Sequence, residues 1–464
     1  MTKIDRRHKL TGLLTLINSI VFTGLTAFLL LLAGSSFFEK ELRAFWISLG
    51  FLVLNTLFWG FFLQTPSSLP SLNLLVILGL GLFGGISLAR FFPKDIESKR
   101  DTSRATQYDE RDNMFARNNL QHHPELMEIY YKLRPENQSH DRQIHNKPEF
   151  GDKRQVYHDD YTAPCYGAAF EYLEQTIPLS DGRVAPQKKQ VDIEKFTTTL
   201  SGMIRFYGGS DVGFIPLKPH HFYSHKGRHA RNWGEKTDQT HKTAIVIVVP
   251  MRVPMIKQGP TSTVIQESAQ KYVEAAKISN IAAAYIRQFG FQARAHNDAN
   301  YETLCVPLAV ESGIGELGRM GIFMHKIHGP CVRLAIITTQ MDLPASLPTP
   351  CLHMENFCKI CKKCADNCPS GSIPHGPEPR SRNIRHWSID QEKCFSYWKT
   401  IGSDCGMCIS VCPYTKPDTL VHRLVRFYIS RNVLNQKIAL FMDDLLYGRR
   451  KKIPRTNPDH IFHF

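Results

Sequence analysis

The sequence predicts an α/β (α+β) core set between an apolar N-terminal anchor and a cysteine-rich C-terminal domain. Three observations carry this. The first is uneven charge. The 464 residues hold 57 Lys/Arg and 42 Asp/Glu, a formal balance of +15, yet residues 1–95 contain only eight of the basic and four of the acidic side chains. The second is a pair of β-branched runs, Ala244–Val249 and Leu334–Thr339, flanking a segment of helical period. The third is that eight of the twelve cysteines crowd into residues 358–412. Disulfide frameworks are small and spread out, so this crowding points to metal ligation.

Three apolar runs open the chain, at residues 10–34, 44–63 and 72–92. Each reaches the ~20 residues that a helix needs to cross a bilayer. Trp46 and Trp59 lie towards the two ends of the second run, where indoles favour the membrane interface. Three successive runs argue against a cleaved signal peptide. The Arg6-Arg7 pair is followed by His8-Lys9 instead of a bulky apolar residue, so it reads as a basic flank and not as a twin-arginine signal. Basic flanks stand at both ends of the anchor, so the positive-inside rule does not fix its orientation.

The expected division is an anchor over 1–95, a charged linker over 96–108, the N-terminal part of the soluble domain over 109–195, a core over 196–350, a cysteine domain over 351–420, and a C-terminal helix with a basic tail over 421–464. In the core, the continuous β-branched runs fit strands buried on both faces. Between them Ala269, Tyr272, Ala276, Ser279, Ala283 and Ile286 recur at intervals of three and four, marking one face of a long helix.

Cys358-x2-Cys361-x2-Cys364-x3-Cys368-Pro369 is the bacterial ferredoxin run, in which the fourth thiolate ligates the other cluster of a two-cluster domain. Cys394 and Cys405-x2-Cys408-x3-Cys412-Pro413 supply a second, looser set. The crossed assignment gives Cys358, Cys361, Cys364 and Cys412 to one [4Fe–4S] cluster and Cys368, Cys394, Cys405 and Cys408 to the other. Zinc ribbons also use Cys-x2-Cys pairs, but the repeated x2-x3-Pro spacing favours iron–sulfur. Cys165, Cys305, Cys331 and Cys351 are left as ordinary thiols. Two clusters form a one-electron wire, and ~250 further soluble residues imply a terminal reaction centre in the same chain.

From Asp109 to Gly448 the chain resembles the corrinoid- and iron–sulfur-dependent reductive dehalogenases. The resemblance is carried by Asp109-Glu110-Arg111, Phe115-Ala116-Arg117, Tyr285 to Gly290, Asn297-Asp298, Pro307-Leu308-Ala309 and Gly313 to Arg319. Both cysteine motifs follow, then Trp387, Asp390, Trp398, Asp443-Asp444 and Tyr447-Gly448. Exported family members differ in carrying a twin-arginine signal and in lacking fused membrane helices. The resemblance implies a nitroreductase-like core binding a cobamide (a B12-type corrinoid) beside a ferredoxin-like 2[4Fe–4S] domain, here preceded by three transmembrane helices. It implies Tyr272, fourteen residues before Ile286, as proton donor, with Asn297 and Arg333 as its catalytic partners. Co(I) chemistry would remove halide from an organohalide, and Arg333 would lower the Tyr272 pKa towards the operating pH. The corrinoid-contacting residues are not given by the pattern.

Two other functions fit parts of the pattern. One is a membrane-bound ferredoxin-type electron carrier, which would hold iron without cobalt. The other is the related cobamide/iron–sulfur epoxyqueuosine reductase, which acts on tRNA; the anchor and Tyr272 argue against it, and no nucleic-acid partner is expected. Expected partners are an organohalide, the lipid bilayer, and an electron donor such as ferredoxin, flavodoxin or a quinol-linked membrane protein. The location expected is the bacterial inner membrane with the soluble domain on the cytoplasmic face, where such cofactors are inserted. Gly313-x-Gly315-x-x-Gly318 imitates a dinucleotide fingerprint, but the resemblance explains these glycines as a turn beside the corrinoid. His221, His225 and His229, spaced at four among basic residues, read as a basic surface loop in preference to a metal site. Arg449 to Lys452 reads as a solvated tail able to meet anionic headgroups.

Overall fold

A computed structural model describes residues 3–64, 105–298, 300–347, 353–381, 383–458 and 462. The chain divides into two compact units, one of residues 1–97 and 417–449 and the other of residues 98–416 and 450–464. The first unit contains helices α1 (Lys3–Phe38), α2 (Leu42–Gln64), α9 (Leu420–Ile429) and α10 (Val433–Tyr447). In the second, the framing elements are α3 (Ala163–Thr176), α4 (Ile193–Phe206), α5 (Ser262–Arg287), α6 (Cys305–Glu311), α7 (His353–Cys361) and α8 (Gln391–Ile401), with strands β1 to β6.

Two helices of the first unit are long and apolar enough to cross a membrane. Their windows are Leu16–Phe38, with mean hydropathy 2.2, and Leu42–Gly60, with mean hydropathy 1.5. Only 22% of each window is buried, so neither is an ordinary core helix. The third apolar run, 72–92, lies outside the described residues. Trp46 is exposed, but Trp59 is buried, packed edge-on against Phe58 and 6.2 Å from the Phe22 ring. The two indoles thus differ in surroundings, Trp46 being exposed and Trp59 packed inside the helix pair. Trp59 serves the α1–α2 contact.

The core of the second unit is a four-stranded sheet in the order β1 (Asp211–Pro216), β2 (Thr243–Pro250), β6 (Val332–Thr339), β3 (Ala293–His296). All three pairings are antiparallel, and β2 and β6 run side by side, with Ile245 opposite Ile337 and Val249 opposite Arg333. Successive side chains alternate between faces. Ile245, Ile247 and Val249 pack with Leu200 and Ile204 of α4 and with Ala283 and Ile286 of α5. Ala244, Val246 and Val248 pack with Leu308 and Ala309 of α6, Ile314 and Phe323. Cover on both faces demands apolar residues at every position, whichever way the strands run.

The helical period over 269–286 falls inside α5, which is buried along most of its length. Gly290 follows it at φ +83°, and an added Cβ would come within 2.5 Å of the Gln187 carbonyl oxygen. This position needs both the left-handed conformation and the missing side chain. Gly315 opens β4 (Gly315–Leu317), the partner of β5 (Phe323–His325). Its Cβ would collide with the Met324 carbonyl oxygen and the Phe323 ring.

Gly315→Ala is expected to lower the apparent thermal midpoint of the full-length protein in detergent. Gly167→Ala, at an exposed position of α3 with open space around the new methyl, is the control. It should leave the midpoint unchanged or raise it, since alanine is favoured over glycine inside a helix by about 0.5–1 kcal/mol. Equal midpoints for the Gly315→Ala variant and the unchanged protein would contradict the packing described.

Candidate functional site

A cavity of about 1220 Å³ opens beside the sheet. Its walls come from α5 through Tyr272, from the segment after β3 through Asp298, Tyr301 and Thr303, from β4, and from Arg333 on β6. Ligand pockets commonly span ~300–1,000 Å³, so this one has room for a large cofactor together with a small substrate. The lining is mainly apolar, including Val306, Val310, Phe323 and Leu334. Two buried polar atoms at its wall, Thr303 Oγ1 and Arg333 Nε, have no hydrogen-bond partner among the described residues. Buried polar atoms are normally paired, and two unsatisfied ones on a cavity wall point to a polar ligand.

Tyr272 and Arg333 meet here. The Arg333 guanidinium carbon lies 4.8 Å from the Tyr272 ring centroid, a cation–π geometry. Its Nη2 donates to Ser268 Oγ and forms a 3.0 Å ion pair with Asp404. Burial pushes the Tyr272 phenol well above its ordinary value; Arg333 opposes this, while Asp298, Asp404 and Cys305 reinforce it. The expectation that Arg333 would bring the phenol down to the operating pH is therefore corrected. One guanidinium already paired with Asp404 does not offset the desolvation.

Asn297 is buried, and its amide nitrogen is directed at Ser279 Oγ and Asn280 Oδ1 of α5, 3.5 and 3.4 Å away. It ties the segment after β3 to the helix, and it is Asp298 and Tyr301 that line the cavity with Tyr272. Tyr301 donates to the Leu334 carbonyl of β6. In the sequence Asp298 reads as part of the Asn297-Asp298 motif with no role of its own, Cys305, also in the wall, reads as an ordinary thiol, and Tyr301 is missed. The only signal for Tyr301 and Cys305 is nearness to that motif.

The cysteines fall into two groups. Cys358, Cys361, Cys364 and Cys412 line one small cavity with Met320, Phe357 and Tyr414. Burial opposes the ionisation of Cys408, and Cys405, Cys394, Cys368 and also Cys364 of the first group lie close enough to disfavour it further. Burial likewise pushes Cys358 up to about 11 and Cys394 and Cys405 up to about 12. Thiols held this way ionise only when a metal takes the sulfur, and loading releases protons. Cys165 is exposed and Cys331 buried, whereas Cys351 lies outside the described residues.

The segment carrying β4 joins the two cavities. Gly315 to Leu317 line the large one, and Arg319 and Met320 line the cysteine cavity. Glu316 accepts the backbone N–H of Glu355 on α7, 2.8 Å away. Arg319 is buried, lies 4.5 Å over the Trp387 ring, and donates to the carbonyls of Cys358, Pro374 and Gly376. On the opposite side, Arg117 is buried between Asp141 and Glu392, at 2.7 and 2.8 Å, and so holds α8, the carrier of Cys394.

Two other sequence signals resolve here. Gly315 to Leu317 form a hairpin strand and not the turn that opens a helix, so the dinucleotide reading fails on geometry. His221, His225 and His229 do not align. His221 is buried, which corrects the surface-loop expectation at that residue, and with His220 it gathers around Glu311 at 3.3 and 2.8 Å. A metal could be imagined there. However, His221 Nδ1 accepts the Lys218 backbone N–H at 3.1 Å, which leaves the ring proton on Nε2, facing Glu311. The Lys218 ammonium sits on the same carboxylate.

Comparison with known proteins agrees with this arrangement. A family model described as "4Fe-4S dicluster domain" matches residues 357–416. The tetrachloroethene reductive dehalogenase of Sulfurospirillum multivorans is 33% identical over 222 residues, 46% of this chain and 44% of that one. That of Desulfitobacterium hafniense is 30% identical over 207 residues, 42% of this chain and 37% of that one. This chain is similar to reductive dehalogenases. The match thus spans less than half the length of these curated relatives. Among solved structures, a K488Q variant of the catabolic reductive dehalogenase NpRdhA aligns with TM-score 0.62 at 22% identity, covering 77% of this chain and 49% of that one. Another, described as "Reductive dehalogenase structure suggests a mechanism for B12-dependent dehalogenation", aligns with TM-score 0.61 at 21% identity, covering 75% and 47%. The reductive dehalogenase fold is shared, and the resemblance read from the residues stands.

Arg319 generates a prediction. Among the described residues no carboxylate pairs with this buried cation, and an uncompensated buried charge is costly. Arg319→Gln should lower the midpoint potential of the cluster nearest Cys358, read by redox titration with electron paramagnetic resonance. At fixed potential a tenfold fall in the reduced-to-oxidised ratio corresponds to ~59 mV for one electron. An unchanged midpoint with both clusters present would remove Arg319 from this role.

Proposed function

We propose that this chain is a membrane-anchored reductive dehalogenase that replaces a halogen on an organohalide with hydrogen. The observation that carries the reading is Tyr272 on the cavity wall beneath Arg333, in a chain whose dicluster segment lies a few residues beyond the same cavity. The cysteines would hold two [4Fe–4S] clusters in crossed fashion. Cys358, Cys361, Cys364 and Cys412 take one, and Cys368, Cys394, Cys405 and Cys408 take the other.

The cavity fits a cobamide by its size, its apolar lining and the unpaired Thr303 and Arg333 atoms. Bound there, a cobamide supplies the low-potential cobalt chemistry that breaks a carbon–halogen bond. The protein's own part is narrower. Tyr272 keeps its proton across the neutral range and delivers it from Oη to the carbon that loses halide. Arg333, fixed by Asp404 and Ser268, steadies the phenolate left behind. Asn297 holds the segment bearing Asp298 and Tyr301 against α5. The clusters held by those cysteines would supply two electrons, one at a time, and the Tyr272 proton would take the place of the departing halide on carbon.

Anchoring by α1, α2 and the third run at 72–92, with the soluble part on the cytoplasmic face of a bacterial inner membrane, completes the reading. The apolar windows and the sheltered assembly that such cofactors need support it. A ferredoxin, a flavodoxin or a quinol-linked membrane protein would supply electrons to the basic soluble part.

Anaerobically purified protein should contain roughly eight irons from two four-iron clusters, together with cobalt. Iron without cobalt would favour an electron carrier instead. Tyr272→Phe should keep the metals and their magnetic signals while losing about 10²–10⁴-fold in turnover. With the tyrosine present, no alkaline loss of rate from its ionisation should occur below pH ~10. Undiminished turnover in the variant would remove Tyr272 from the donor role. Protease added to intact spheroplasts should leave the soluble part uncut, and cleavage from outside would overturn the cytoplasmic placement.

A further inference from the structure

α9 and α10 are more than a C-terminal extension of the soluble fold. Thr419, just before α9, lies 3.4 Å from Ser35 Oγ in the last turns of α1, and His422 is paired at 2.9 Å with Glu39 in the α1–α2 turn. From α2, Arg43 donates to the Leu445 carbonyl of α10. Val421 and Leu446 pack with Leu32 and Ala44. All these contacts fall at the same end of the α1–α2 hairpin, where the apolar windows stop at Phe38 and resume at Leu42.

Among the described residues, the opposite face of α9 has no such cover. Leu420, Leu424 and Phe427 recur at four and three along one helix face and are 59%, 46% and 50% exposed. On α10, Val433 and Phe441 are exposed on one face with Lys437 between them. The Arg431 guanidinium lies 4.0 Å over the Phe427 ring. Apolar side chains interleaved with long cationic ones suit a headgroup layer, because the stems bury while the charges stay wet.

We infer that α9 and α10 lie in the bilayer interface at the level of the α1–α2 turn, with Leu420, Leu424 and Phe427 inserted among the upper acyl carbons. The occupant of this face is lipid, because Phe37, Phe38, Leu42 and Trp46 are exposed at the same end of α1 and α2 that α9 packs against. A stripe of three large apolar side chains in water is unfavourable. The inference rests on the proposed anchoring role of α1 and α2.

The test uses the full-length protein in liposomes containing phospholipid brominated either near the headgroup end or near the methyl end of the acyl chains. Phe427→Trp is compared with the unchanged protein by difference fluorescence. The added indole should emit at shorter wavelength than in water and lose more emission to shallow bromines than to deep ones. Water-like emission, or short-wavelength emission insensitive to bromine (as under a protein partner or a second copy), would overturn the inference. Native Trp46, exposed on α2, separates the two readings through the signal lost in Trp46→Phe. Quenching of Trp46 without quenching at position 427 would sink the interfacial helices and leave the anchor standing. No quenching at either position would sink both.

Discussion

The Arg333–Asp404 ion pair is the contact on which the site depends. Arg333 comes from β6 at the centre of the sheet, and Asp404 immediately precedes Cys405 in the cysteine domain. Between them Arg333 also covers the Tyr272 ring and donates to Ser268, both on α5. One largely buried guanidinium thus fixes helix, sheet and cysteine loop against one another. Losing one partner of such a pair costs about 3–5 kcal/mol, because the other charge is left buried alone. The same contact commits part of the Arg333 charge to Asp404, while burial, the larger effect, holds the Tyr272 phenol above its ordinary value.

A second buried guanidinium organises the other side of the cavity. Arg319 gathers the Cys358, Pro374 and Gly376 carbonyls and stacks on Trp387, so the loops around the cysteines are held by a buried cation. Arg117, tied to Asp141 and Glu392, does the equivalent task for α8. All three arginines look in isolation like ordinary surface charges. Each is instead a structural cation whose partners come from distant parts of the chain.

The antiparallel sheet shows how a local pattern can be right and incomplete. The runs at 244–249 and 334–339 are strands buried on both faces, and α5 spans the predicted helix. Their pairing as direct neighbours could not be read from them, because apolarity at every position records burial and carries no strand direction. Tyr272 was legible as a residue on the inner face of that helix. Whether it lined a cavity or sat in solid packing depended on the segment after β3 and on Arg333, both remote in sequence.

The sequence by itself determined the apolar segregation of the N-terminus, the helix and strands of the core, and the two cysteine sets, because each is written in spacing along a continuous stretch of chain. It also determined the likeness to reductive dehalogenases, carried by short motifs in collinear order. Only the tertiary structure decided that Asn297 turns to α5 while Asp298 and Tyr301 face the cavity, that burial outweighs Arg333 at Tyr272, and that α9 and α10 pack with α1 and α2. The reason is the same in each case. Desolvation, side-chain direction and the pairing of buried charges are sums over neighbours far apart in the chain, and spacing along the sequence does not encode those sums.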